Sequence, residues 1–304
     1  MPFMFALLGI LPGAGLLALS LYFVRQLINF QHYTTRFTID DGLIKGEFSP
    51  TFVEPEKESF LVRSPFGYDL SGFAIPGNTD KTIIFCHGAS WTRWGMAKYM
   101  HTFLERGWSI VAYDSRAHGE SGGTYPSYGY YEKHDLKAVE DWTMARFPAT
   151  KHLGVYGESM GAATVLQYAP LSNHASFLVL ESPFSDLNTL CRTRLAWSGV
   201  PGFIIPAVMW LADCYIRCVA GFRIRDVSPR LSLDKTEVPI LFFHGKDDEQ
   251  IPTSMSIAMY NARRERFPTR LALFDNTLHT RCIVVDEKRY LAELWSFLTA
   301  IELA

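Results

Sequence analysis

HLGVYGESMGAATVLQYA, residues 152–169, decides the fold. Its first part, HLGVY, predicts a short apolar strand, and its last part, GAATVLQYA, predicts a strong helix. Between them stands Gly157-Glu158-Ser159-Met160-Gly161. A strand that turns straight into a helix needs a tight corner. Flanking glycines permit the strained backbone there and let the helix approach the strand closely. A serine at the corner is presented outward, and the helix aims its N-terminal amides and dipole at it. Gly-x-Ser-x-Gly in this setting is the pattern of a nucleophilic serine.

The chain spells the pattern twice. Residues 119–123 read GESGG, inside AYDSRAHGESGGTYPSYG. Five residues separate that match from the strand before it, and Thr-Tyr-Pro-Ser-Tyr-Gly after it starts a helix poorly. Ser121 is therefore expected in a glycine-rich loop and Ser159 at the corner.

The surroundings of Ser159 predict an α/β domain. SFLVR (59–63) and YDLSGFAI (68–75) alternate apolar and polar residues around SPFG, which predicts a hairpin. Apolar runs then alternate with helical patterns. TIIFCHG precedes MAKYMHTFLERG, WSIVAYD precedes EKHDLKAVEDWTMARF, and FLVLES, PILFFHG and LALFDN complete the strands before EKRYLAELWSFLTAIEL. Leu136, Val139 and Trp142 recur at three-residue spacing in the second of these helices. Short continuous apolar strands between helices predict a mostly parallel central sheet flanked by helices on both faces. The stretch of about 184–237 breaks the alternation. It is rich in Trp197, Phe203, Val208, Met209 and Trp210, is broken by Pro201 and Pro206, and predicts an inserted helical cap.

The N-terminal stretch is unlike the rest. From Pro2 to Val24 no side chain is charged, about the length of a membrane-spanning helix. Pro12, Gly13 and Gly15 weaken a helix in water and are tolerated in one within lipid. Ala18-Leu19-Ser20 resembles a signal-peptide cleavage site, but no basic residue precedes the apolar run. Residues 1–28 are therefore expected to be an uncleaved membrane anchor, a single transmembrane helix. Residues 29–304 are expected to be the soluble, separable domain, starting with a linker. Arg25 and Arg36 follow the span, which puts that domain on the cytoplasmic side by the positive-inside rule.

Composition narrows the partners. The 304 residues carry a formal charge of -2, and no basic run stands out, so nucleic-acid binding is not expected. Five cysteines make no disulfide framework. Cys86 is expected in the core, and Cys214 and Cys218, four apart in an apolar helix, are expected to pack rather than to hold metal.

A serine needs a base, and the base needs an orienting acid. In a strand-corner-helix enzyme the chain order is Ser, then Asp or Glu, then His. Past the cap only His244 and His279 follow Ser159. His244 ends a strand where an acid should follow, which leaves His279, in the loop DNTLHTRC. KDDEQIP offers Asp247, Asp248 and Glu249 as the acid, and spacing does not separate them. An oxyanion is expected to bind two backbone amides. One is that of Met160, after the nucleophile; the other is that of Ala89 or Ser90, in HGAS after TIIFC.

These motifs resemble the α/β-hydrolases of the serine-aminopeptidase and monoacylglycerol-lipase branch, many of them membrane-anchored bacterial proteins. The resemblance runs from about Glu58 to the C-terminus. TIIFCHGAS resembles the family's oxyanion loop, which implies Ala89 as the donor. YDSRAHGESGG resembles Asp-x-Arg-x-His-Gly-x-Ser-Gly, a structural loop in that family. FFHGKDDEQIP resembles His-Gly-x-x-Asp-x-x-Ile/Val-Pro, which implies Asp248. LHTRCIVVDEKRYLAELWSFL resembles the histidine loop, though Leu278 and Thr280 stand where the family more often has small residues. The resemblance implies an α/β-hydrolase fold and a Ser159–Asp248–His279 triad. An esterase acting on a hydrophobic acyl ester is expected, with no metal or organic cofactor. Aminopeptidase and thioesterase activities are alternatives. The first would need a carboxylate for the substrate amine, for which Glu181 and Asp186 are candidates. A catalytically silent binding protein is the alternative from outside the enzymes.

Overall fold

The computed structural model describes the backbone of residues 2–53 and 57–304 and the side chains of residues 13–53 and 57–304. Among the described residues eight strands form one sheet. They are β1 (Glu58–Arg63), β2 (Asp69–Ile75), β3 (Lys81–Cys86), β4 (Ser109–Tyr113), β5 (His152–Glu158), β6 (Ala175–Glu181), β7 (Ile240–Gly245) and β8 (Thr269–Phe274). Their order is β1-β2-β4-β3-β5-β6-β7-β8. The predicted hairpin is β1 with β2, antiparallel from Glu58↔Ala74 to Arg63↔Asp69. β2 also runs antiparallel to β4, and every later pairing is parallel.

This order positions the site. From β3 the chain goes out to β4 on one side and returns to β5 on the other. The crevice beyond the carboxyl ends of two such strands is where an open parallel sheet holds a ligand. Cys86 of β3 pairs there with Gly157 of β5.

Successive side chains of a strand point to opposite faces, and here both faces are buried. Ile83 and Phe85 of β3, with Leu241 and Phe243 of β7, point to one face. Met100 and Phe103 of α4 (Ala97–Leu104) and Leu294 and Phe297 of α11 (Glu287–Ala300) cover it. Ile84, Val155 and Phe242 point to the other face. α5 (Glu132–Arg146), α6 (Met160–Tyr168) and α9 (Thr253–Arg263) cover that side through Leu136, Val139, Val165 and Met259. Two packed faces explain the unbroken apolar strands of the sequence. Trp142 stacks on Phe60 with ring centroids 3.9 Å apart, tying α5 to the hairpin.

Between β6 and β7 lie α7 (Leu187–Trp197) and α8 (Ile205–Ala220). Asp186 caps α7 by accepting from the Thr189 amide at 2.9 Å. Pro206 stands in the first turn of α8, where it costs no hydrogen bond, and Gly221 closes that helix at φ +76°. Phe184, Leu187, Leu190, Val208, Met209 and Ile216 form a core of their own above the sheet.

Of the expected anchor, residues 1–12 lie outside the residues whose side chains are described. A helix, α1 (Pro2–Ile28), is present, but Val24, Leu27 and Ile28 are buried in the cap core, with α1 lying along α8. Among the described residues no single helix is long and apolar enough to cross a membrane. The stretch expected as a linker contains α2 (Thr35–Ile44), whose N-cap Thr34 accepts from the Phe37 amide at 3.1 Å. TRFTIDDGLI has no clear apolar stripe at helical spacing, so periodicity does not predict it; Thr34 caps the helix and Ile39 packs it against the core. Cys86 is buried, as expected, whereas Cys214 and Cys218 are exposed on α8.

Candidate active site

Ser159 sits at the corner between β5 and α6 with φ +53° and ψ −116°. A non-glycine residue there costs on the order of 1–3 kcal/mol, which the surroundings must hold in place. The Ser159 amide donates to the Glu181 carbonyl at 2.8 Å, and the Ser159 carbonyl accepts from Ala163 at 3.0 Å. Gly161 is required by space: a Cβ would stand 2.1 Å from the Cys86 carbonyl oxygen. That absence of a side chain seats α6 directly against the end of β3.

His279 lies in the loop after β8, and its ring bridges two predicted partners. Nδ1 is 2.6 Å from Asp248 Oδ2, and Nε2 is 2.8 Å from Ser159 Oγ. An ionised carboxylate only accepts, so Nδ1 carries the proton and Nε2 accepts from the serine hydroxyl. The left-handed Thr280, φ +54°, turns the chain immediately after the ring.

Asp248 is buried and accepts from several donors. Oδ1 takes the amides of Gln250 and Ile251, each at 2.8 Å. Oδ2 is also 3.1 Å from Nε2 of the buried His244, whose Nδ1 is 2.7 Å from Ser256 Oγ. Burial alone would raise the carboxyl pKa. The hydrogen bonds from His244 and His279 outweigh burial and hold it far below the usual carboxylate range. Asp247 and Glu249 are exposed, so this geometry separates what spacing left open.

The two candidates for the oxyanion loop also separate. Both line the cavity beside Ser159, but the Ser90 amide is already engaged, donating to His118 Nε2 at 3.2 Å. Met160 opens α6, where a first-turn amide has no acceptor within its helix. His118 belongs to the second Gly-x-Ser-x-Gly segment. In that segment Ser121 Oγ donates to the Asp114 carbonyl at 2.6 Å and accepts from the Ser71 amide at 2.9 Å. Ser121 thus fastens a loop, and that loop supports the backbone beside Ala89.

A cavity of about 400 Å³ opens over Ser159. Phe30, Tyr128, Phe184, Leu190 and Ile251 give it an apolar wall. Two ion pairs give it a charged wall: Lys98 with Glu158 at 2.7 Å, and Arg281 with Glu47. Neither candidate for binding an amine lines it. Glu181 is fully buried and accepts from the Cys282 amide at 3.0 Å, and Asp186 caps α7. Lys98 and Glu158 carry no expectation from sequence, and His244, set aside there as the base, stands against Asp248 instead. The available signal was a lysine on the apolar face of MAKYMHTF and an acid inside the GESMG corner itself.

Sheet order, corner serine and bridging histidine define the class: the protein is an α/β-hydrolase. Residues 77–213 match the hydrolase family described as serine aminopeptidase, S33. The chain belongs to one family with the Bacillus subtilis (strain 168) protein YqkD, described as uncharacterized. The two are 36% identical over 270 residues, covering 85% of this chain and 87% of the relative. The lysophosphatidylserine lipase ABHD12 of Rattus norvegicus is 23% identical over 59% of this chain and 44% of its own. Among solved structures, the Pyrococcus furiosus esterase Pf2001 superposes with a TM-score of 0.68 at 24% identity. It covers 83% of this chain and 96% of its own.

Proposed function

We propose that the protein is a serine hydrolase that cleaves carboxylic esters through an acyl-enzyme on Ser159. The observation that carries this is the unbroken chain from Ser159 Oγ through His279 to Asp248, at 2.8 Å and 2.6 Å, beneath an open cavity. Oγ attacks the carbonyl carbon as its proton passes to Nε2 of His279. The oxyanion accepts from the amides of Ala89 and Met160. The imidazolium, stabilised by Asp248, protonates the departing alkoxide. His279 then deprotonates a water, which attacks the acyl carbon, and the proton returns to Ser159. Each oxyanion donor is expected to contribute roughly 10²–10³ in rate. Every step is proton transfer and acyl transfer on this chain's own groups.

Two observations favour an ester over a peptide with a free amine. The apolar wall suits an acyl chain. The carboxylates lining the cavity, Glu47 and Glu158, are each already paired with a cation. The names esterase and lipase carried by Pf2001 and the rat relative agree with this choice. A fluorophosphonate probe tests the nucleophile: wild type and Ser121→Ala label, whereas Ser159→Ala and His279→Ala do not. Labelling that survives Ser159→Ala overturns the assignment. A panel of p-nitrophenyl esters of rising chain length tests the substrate class, and a preference for aminoacyl anilides over every ester overturns it.

A second reading concerns where the enzyme works. Leu17, Leu21 and Tyr22 on α1 are exposed, as are Trp210, Tyr215 and Val219 on α8, the helix it packs along. Exposed aromatic and aliphatic groups of this kind suit the boundary of a bilayer. We propose that these side chains and the uncharged start of α1 hold the enzyme on a membrane, with the hydrolase domain on the cytoplasmic side. Flotation with liposomes tests the association, and a full chain that stays with the soluble fraction overturns it.

A further inference from the structure

A largely buried ion pair lines the cavity beside the reacting groups. Lys98 and Glu158 are each less than a tenth exposed, and Lys98 Nζ is 2.7 Å from Glu158 Oε2. Glu158 is the residue immediately before the nucleophile. Its Oε2 also accepts from the Tyr99 hydroxyl at 2.8 Å. Lys98 Nζ has a second acceptor, the carbonyl of Thr280 at 3.1 Å. Thr280 is the residue immediately after His279. One ammonium group therefore joins the backbone that carries the base to the side chain next to the nucleophile.

The same loop is held a second time. The Cys282 amide donates to Glu181 Oε1 at 3.0 Å, and Glu181 ends β6, whose carbonyl takes the Ser159 amide. Both loop contacts thus lead back to strands that position Ser159. The loop has need of such fixing. Thr280 has a left-handed backbone and Leu278 beside His279 is 54% exposed, so local packing does little to fix it. A hydrogen bond from a charged donor is about twice as strong as a neutral one.

We propose that Lys98 is a positioning residue for the hydrolysis, setting the His279 loop in register with Ser159 through its bonds to Thr280 and Glu158. The proposal rests on the reading of Ser159 and His279 given above. It assigns Lys98 no contact with the reacting atoms. Burial opposes the charge on Lys98, while Glu158, Glu181 and Glu47 favour it more strongly and keep the ammonium form.

Lys98→Met alone strands the Glu158 charge in the interior, and a fold failure there is expected. The test therefore uses the double variant Lys98→Met/Glu158→Gln, which removes both charges at similar volume. Expected results are a melting temperature within a few degrees of wild type, a fall in kcat of roughly 10- to 100-fold, and KM for a short ester within about twofold, as for a misplaced catalytic group. Fluorophosphonate labelling should slow by a factor similar to kcat. Hydrogen exchange at residues 278–282 should quicken while exchange in the sheet stays unchanged, and this readout needs no activity. A folded double variant with wild-type kcat and wild-type exchange in that loop overturns the proposal. So does a rise in KM at constant kcat, which would make Lys98 a substrate contact. If Ser159→Ala still labels, the nucleophile assignment fails instead, and the exchange measurement still decides whether Lys98 holds the loop. If the double variant does not fold, hydrogen exchange of the wild-type enzyme decides: exchange at residues 278–282 as slow as that of β6 supports the clamp, and fast exchange there overturns it.

Discussion

The amide of Ser90 donates to Nε2 of His118 at 3.2 Å. This bond joins the loop after β3 to the GESGG segment. His118 Nδ1 donates in turn to the Arg116 carbonyl at 2.8 Å, which leaves Nε2 as the acceptor. The ring is buried against His87 and His32, with centroids 5.1 Å and 4.4 Å away. Burial first, then the neighbouring imidazoles, push its pKa well below the ordinary histidine value, so the acceptor form persists. His118→Phe keeps the ring volume and removes the acceptor. The expected outcome is a loss of kcat on the order of 10-fold, smaller than for a lost oxyanion donor, with KM for a short ester little changed. Steady-state kinetics on that ester check it, and wild-type kcat would show that the Ser90 bond does nothing for the Ala89 amide.

The acid can be tested by changing one atom. Asp248→Asn retains an acceptor for the Gln250 and Ile251 amides but presents an NH₂ group to His279 Nδ1. The imidazole must then carry its proton on Nε2 and can no longer accept from Ser159. Loss of the correct tautomer costs about 10⁴ in kcat in the well-studied serine proteases, and a fall of similar order is expected here with the fold intact. Asp247→Asn is expected to leave kcat within about twofold of wild type. Equal losses in the two variants would break the assignment.

The sequence disclosed the sheet and the corner because both are local. Alternation identified β1 and β2, unbroken apolar runs identified the parallel strands, and the glycines flanking Ser159 marked two close approaches, Gly157 to the start of α6 and Gly161 to the Cys86 carbonyl. Chain order and motif resemblance picked His279 and Asp248, and the fold brings both to Ser159. Contacts between distant segments were hidden. Nothing near Lys98 in sequence points to Thr280, 182 positions away. Nothing in the apolar start of the chain distinguishes a helix bound for lipid from one whose last turns pack on a cap. Both are apolar for the same physical reason, and only the partner differs.

That ambiguity yields a prediction about truncation. Val24, Leu27 and Ile28 are each at most 4% exposed, and the Tyr128 hydroxyl donates to the Leu27 carbonyl at 2.6 Å. Tyr128 lines the cavity. Removing residues 1–28 therefore takes three side chains out of the core, each contributing about 1.5–3 kcal/mol, and frees a cavity wall. Removing only residues 1–12 leaves all of these contacts in place. The shorter deletion is expected to melt like the full chain in the same detergent. The longer one is expected to melt several degrees lower and to hydrolyse esters more slowly. Equal melting and activity for the two deletions would make residues 13–28 a separable anchor after all.

Asp135 offers a test of folding energetics away from the reaction. It is buried on α5 and accepts from Ser64 Oγ and the Tyr68 hydroxyl, both at 2.6 Å. Burial raises its pKa to about 6 even though those two hydrogen bonds pull it down, and the nearby Glu132 adds to the rise. In the unfolded chain the carboxyl ionises near its ordinary value of about 3.9. Between the two values the unfolded state has lost a proton that the folded state keeps. Stability therefore falls as pH rises through this window and levels off above the folded pKa. From about pH 4.5 to about pH 7.5 the cost to wild type is roughly 2 kcal/mol, since each pH unit below the folded pKa costs about 1.4 kcal/mol. Asp135→Asn cannot ionise and escapes it. Urea midpoints measured for both proteins at the two pH values should show wild type losing ground to the variant as pH rises. Parallel pH profiles would mean that Asp135 ionises as readily in the folded protein as in the unfolded chain.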